Sequence, residues 1–145
     1  MTAPPIAVEV DFDLRATVVD GLAYRSPRHV PAVLRWSADD PWAVQLDFVR
    51  GPVWTVGWDL LEAAARCGGR RSIGDGDVRI RRASVRHFEI TLSNPQYSAT
   101  FTADPFDLVA FVDAVQPRQQ AAARPWIPDT AHALLAAIDH REETR

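Results

Sequence analysis

Apolar and polar residues alternate with period two from Val8 to Ala16. This pattern predicts a half-buried strand, with Val8, Val10, Phe12, Leu14 and Ala16 on one face and Glu9, Asp11, Asp13 and Arg15 on the other. Asp20-Gly21 signals a turn. The polar stretch Leu22 to His29, which holds Pro27, reads as a loop. Val30 to Trp36 then reads as a strand, Ser37-Ala38-Asp39-Asp40-Pro41 as an acidic turn, and Trp42 to Val49 as an alternating strand. After a turn at Gly51-Pro52, Val53 to Trp58 reads as a further strand with Trp54, Val56 and Trp58 on one face.

The pattern then changes period. Asp59 is a candidate N-cap for a helix over Leu60 to Arg66, which Gly68-Gly69 would end. A loop over Arg70 to Gly76 leads to a strand at Val78 to Arg81, with Arg79 and Arg81 on one face. Phe88 to Leu92 and Tyr97 to Thr102 read as strands joined by a turn at Ser93 to Gln96. Asp104-Pro105 is a strong helix start, a capping carboxylate followed by proline at the first helical position. Leu108, Val109, Phe111, Val112 and Val115 give that helix its apolar face, and Pro117 is expected to end it. Residues 116–128 hold three prolines and read as a linker, after which Asp129 would cap a last helix to about His140. Strands followed by a helix thus occur twice. The prediction is an α+β fold: a domain over residues 1–116 built on an antiparallel sheet of about seven strands, then a proline-containing linker and C-terminal helix over residues 117–145 packing on it.

At 145 residues with 47% hydrophobic content, the chain is long and apolar enough for one ordinary core. A lone cysteine, Cys67, excludes an intrachain disulfide and fits a reducing compartment. No apolar run approaches the roughly 20 residues that span a bilayer, and Met1 to Pro5 lacks the basic start of a secretory signal. The expectation is a cytoplasmic protein without membrane insertion.

The net charge of −3 does not advertise nucleic-acid binding, but the charges are uneven. There is no lysine, and seven of the sixteen basic residues fall between Arg66 and Arg86 against only Asp75 and Asp77. Arg70, Arg71, Arg79, Arg81, Arg82 and Arg86 are the candidate partner-binding surface, because guanidinium forks recognise carboxylate and phosphate alike. Cross-strand pairing with residues such as Glu89 is the plainer account. No aromatic residue is interleaved with these arginines, which argues against a single-strand nucleic-acid platform. Trp36, Trp42, Trp54, Trp58 and Trp126 are candidates for an oligomer interface, where tryptophan is enriched. Sheet packing is the plainer role for the first four.

Catalytic chemistry finds no foothold. His29, His87, His132 and His140 lack metal-ligand spacing, and Cys67 has no neighbouring cysteine or histidine. Gly74-Asp75-Gly76 lacks the lysine and helix of a phosphate loop and the later glutamate of a calcium loop. No cofactor is expected.

Several segments together carry a family likeness. Val30-Pro31 leads to Leu34-Arg35-Trp36, then to Ala38-Asp39-Asp40-Pro41-Trp42-Ala43-Val44. Trp58-Asp59-Leu60-Leu61, Gly76-Asp77-Val78-Arg79-Ile80 and Leu92-Ser93-Asn94-Pro95 follow in order. In these segments the chain resembles the SsgA-like sporulation and cell-division proteins of filamentous actinobacteria, over about Val8 to Val115. It departs from the family's pattern at Trp58, where an arginine is usual. The resemblance implies a curved antiparallel sheet with helices, similar to the Whirly-type single-strand-binding proteins, assembled as a homotrimer. It also implies a non-enzymatic adaptor that helps place or assemble the division machinery at sporulation septa through contacts with division proteins. A single-stranded nucleic-acid-binding module is the alternative reading.

Overall fold

A computed structural model of the chain describes residues 4–25, 27–66, 73–74 and 76–123. Eight strands and two helices follow in order: β1 (Ile6–Val19), β2 (Leu22–Tyr24), β3 (Arg28–Trp36), β4 (Ala43–Phe48), β5 (Val53–Gly57), α1 (Trp58–Arg66), β6 (Val78–Ser84), β7 (His87–Ser93), β8 (Tyr97–Ala103) and α2 (Pro105–Ala123). All strand pairs are antiparallel. Seven strands lie in the order β5-β4-β3-β1-β8-β7-β6, and β2 adds to the far half of β1. The expected α+β architecture is therefore present. The long strand β1 joins a β3-β4-β5 meander to a β6-β7-β8 meander.

The sheet is strongly curled. β4 and β8 stand three strands apart, roughly 14 Å in a flat sheet, yet the Phe48 and Phe101 rings stack at 5.0 Å. Phe12 on β1 lies 6.0 Å from Phe88 on β7 and 6.1 Å from Phe48. The inner face carries the core: Val10, Phe12, Leu34, Trp36, Leu46, Ile80 and Ile90 are buried there. The apolar side of α2, with Leu108, Phe111, Val112 and Val115, closes over it. The outer face is polar, with ion pairs Arg35–Asp47 and Arg81–Glu89 and a 2.7 Å contact between His29 Nδ1 and Asp13 Oδ1.

Four local features differ from the sequence pattern. Asp20 and Gly21, at φ 50° and 80°, make a tight turn whose positive angles suit a two-residue hairpin. The turn returns the chain as β2, where a loop was expected. A bulge between Leu14 and Ala16 shifts the alternation, so Ala16 faces outward and Thr17 and Val19 face inward with Ala99 and Tyr97. Helix α1 begins at Trp58, with Asp59 in its first turn and not at the N-cap. Finally, α2 runs through Pro117 to Ala123, so residues 117–123 are helix, not linker. Asp104 caps α2 as expected, its Oδ1 accepting the Phe106 N–H at 2.9 Å. The expected glycine stop at Gly68-Gly69 and the last helix lie outside the described residues.

Candidate functional site

Two of the five tryptophans belong to the chain's own core. Trp36 and Trp58 are each 1% exposed, which corrects their expected place in a subunit interface. Trp36 Nε1 donates to the Pro41 carbonyl at 3.1 Å, and the Arg118 guanidinium of α2 lies 5.4 Å from its ring centroid. Trp42 is half exposed. Trp54 is partly buried on the inner face, packed against the core. Trp126 lies outside the described residues.

The arginines do not converge on one ligand position. Arg81 Nε and Nη2 donate to Glu89 across the β6–β7 pair, at 2.8 and 3.2 Å. The Glu89 hydrogen bond and charge raise the Arg81 pKa further above its ordinary value. Arg82 donates to the Ser84 and Val85 carbonyls and so braces its own hairpin turn. Arg66 donates to Asp113 and Gln116, each at 2.6 Å, tying α1 to α2. The Arg79 and Arg86 side chains make no hydrogen bond or ion pair among the described residues, and both residues are exposed. Arg70 and Arg71 lie outside those residues. The void beside Arg81 and Arg82 measures only about 10 Å³, about enough for one water.

The large concavity is elsewhere. The two helices cover the inner face where β1 begins, and they leave it open where β1 ends. A cleft of about 810 Å³ opens there, within the size range of ligand and peptide sites. Its floor is Leu14, Phe48, Leu92 and Phe101, with Trp54 and Val30 beside them. The β4–β5 turn, Val49 to Pro52, and the end of β1 form its rim. Arg28 stands opposite Leu14 in the β1–β3 register, which puts it on the inner face. Among the described lining residues, Arg28 and Arg50 carry the charged side chains, while His29 contributes to the wall with its ring turned to the outer face. His29 is engaged with Asp13 at 2.7 Å. Arg28 and Arg50 have no hydrogen-bond or ion-pair partner among the described residues.

Sequence reasoning missed this cleft. Its signal was available: Arg28 shares the parity of Val30, Ala32, Leu34 and Trp36, so extending the strand by two residues places a cation on the apolar face. The proline at position 27 and the polar stretch before it hid that extension. The curl that makes the cleft depends on contacts between residues more than fifty positions apart, which local patterning does not encode.

Comparison with known proteins adds the relatives. The family model described as "Streptomyces sporulation and cell division protein, SsgA" matches residues 30–120. A sporulation-specific cell division protein SsgB of Frankia casuarinae is 30% identical over 115 residues, covering 77% of this chain and 78% of that protein. The SsgB protein of Kineococcus radiotolerans is 32% identical over 120 residues, covering 77% and 68%. Among solved structures, an SsgA-like sporulation-specific cell division protein from Thermobifida fusca superposes with a TM-score of 0.62 at 25% identity, covering 98% of both chains. An SsgB structure, from work on longitudinal cell division during sporulation of Streptomyces coelicolor, gives a TM-score of 0.62 at 28% identity. It covers 86% of this chain and 93% of that one.

Proposed function

Since the chain belongs to the SsgA family of sporulation and cell division proteins, we propose that it acts as a non-enzymatic adaptor in sporulation-specific cell division. It binds division-machinery proteins from the cytoplasm, is recruited to septa and assembles as a homotrimer. The observation that carries this reading is the family match over residues 30–120, joined to a fold shared along 98% of its length with a sporulation-specific division protein. The cleft supports a binding role. Apolar residues dominate its lining, and its cations point at an anionic partner. No described helix is long and apolar enough to cross a membrane, in keeping with recruitment through protein contacts.

Two measurements test the proposal. In a sporulating actinobacterium, deletion of the gene should disturb septum placement, and a fluorescent fusion should restore it and collect at septa. A diffuse fusion with normal septa after deletion refutes the role in division. Light scattering on the purified chain should return three times the chain mass of 16.1 kDa. A monomer at micromolar concentration refutes the trimer.

A further inference from the structure

From the cleft at the open end of the curled sheet, we infer that this site takes an acidic amphipathic peptide segment of a partner protein, apolar side chains on its floor and carboxylates on Arg28 and Arg50. The inference deepens the adaptor reading and rests on it.

Three observations select this occupant. First, the charge at the site is one-sided. Arg28 and Arg50 face an apolar surface without partners among the described residues, in a chain whose formal net charge is −3. A guanidinium fork left unpaired beside apolar surface is a ready carboxylate site. Second, the cleft is wide but already closed beneath. Leu14, Phe48, Leu92 and Phe101 are between 2% and 8% exposed, so among the described residues the floor is packed shut and offers an acyl chain no depth. The exposed apolar area sits at the rim, where Val49 is 62% exposed. Third, the apolar surface continues past the cleft. The β1–β2 register sets Val19 against Leu22 and Thr17 against Tyr24 on the same face, with Leu22 62% and Tyr24 51% exposed. A surface that runs from the β4–β5 turn across the sheet to the β2 ribbon suits an extended polypeptide contact, not a compact small molecule.

The test pans a phage-displayed library of short random peptides against the full purified chain. Enriched sequences should combine Leu, Ile, Phe or Trp with Asp and Glu. Their binding should weaken with salt, by about tenfold or more on moving from low to moderate ionic strength. The R28E/R50E double variant changes two exposed side chains and should still fold. Panned in parallel, it should enrich basic peptides in place of acidic ones. An R79E control, on the outer face, should enrich the same peptides as the parent chain. Enrichment unchanged by the charge swap, or no enrichment at all, overturns the inference.

A photoreactive phenylalanine analogue in place of Val49 identifies the occupant. Cross-linking to an enriched peptide, competed by the unlabelled peptide, supports the proposal. Cross-linking to residues 124–145 of the same chain, or to a second copy, assigns the cleft to the protein itself and overturns it. Preferential binding to phosphatidylglycerol vesicles that displaces the peptides overturns it in favour of a lipid surface. These readouts use purified protein and can fail while the chain still collects at septa. Loss of the septal phenotype would leave them unaffected.

Discussion

Single residues explain how the closed end of the molecule is held. Trp36 is sealed by a Pro41 carbonyl at its nitrogen and by the Arg118 guanidinium over its ring. Trp36→Ala should cost about 3–5 kcal/mol by chemical denaturation, the usual range for removing a buried aromatic ring. Arg118→Ala should cost about 1 kcal/mol or less, since the cation–π contact is partly solvated. Gly74 has φ 107°, and a Cβ there would run into the Val78 carbonyl oxygen and crowd Leu60. Gly74→Ala should therefore lower stability by about 1–3 kcal/mol, measured by the same unfolding transition. Asp107 carries a proton-linked effect. Burial first, then the charges of Asp104 and Asp11, raise its pKa above the ordinary carboxylate value. The folded chain thus holds that proton more tightly than the unfolded chain, so stability falls as pH rises through the carboxylate range. Asp107→Asn should melt slightly higher than the parent at neutral pH, and the difference should close as pH drops below that range.

At the level of elements, the informative case is α2. Pro117 lies inside it, and proline removes a backbone donor and crowds the carbonyl four residues back. The helix persists because its buried row, Leu108, Phe111, Val112 and Val115, continues to the buried Gln119 beyond the proline, and packing outweighs local propensity. Pro117→Ala should raise the unfolding free energy by about 1 kcal/mol or more. The same substitution should leave peptide binding at the cleft unchanged, because α2 does not line it. Legibility in the sequence follows the same physics. Strands β3, β4, β7 and β8, the Asp104-Pro105 helix start and the inner row Val10, Phe12, Leu14 were readable, because each depends on residues within a few positions of one another. The β2 ribbon, though local, is masked by its polar composition and Pro27. The bulge after Leu14 and the far half of α2 were not readable, because each is decided by a distant neighbour. For the bulge it is the pairing of Leu14 with Phe101 and Ala16 with Thr100. Arg79 and Arg81 share the outer face of β6, as the alternation predicts, and Glu89 is the cross-strand partner of Arg81. What the row does not reveal is that Arg66 and Arg82 also spend their donors within the fold.

For the whole molecule, curling divides the chain into a sealed end and an open one. Helices plug the first, and the second presents apolar surface framed by cations. Charge reversal on the outer face, at Arg79, should leave both the fold and the cleft intact. Arg81→Ala should cost only about 0.2–1 kcal/mol despite its two hydrogen bonds, because the pair is exposed. The position of β1 has a further consequence, for synthesis on the ribosome. One flank of this longest strand is filled by β3 soon after it emerges, while the other waits for β8, some eighty residues later. Until Ala103 has left the exit tunnel, the nascent chain carries a long, naked hydrogen-bonding edge lined with valine and phenylalanine. Translation stalled in that interval is expected to yield a species prone to cross-pairing, which rapid completion or chaperone cover would prevent.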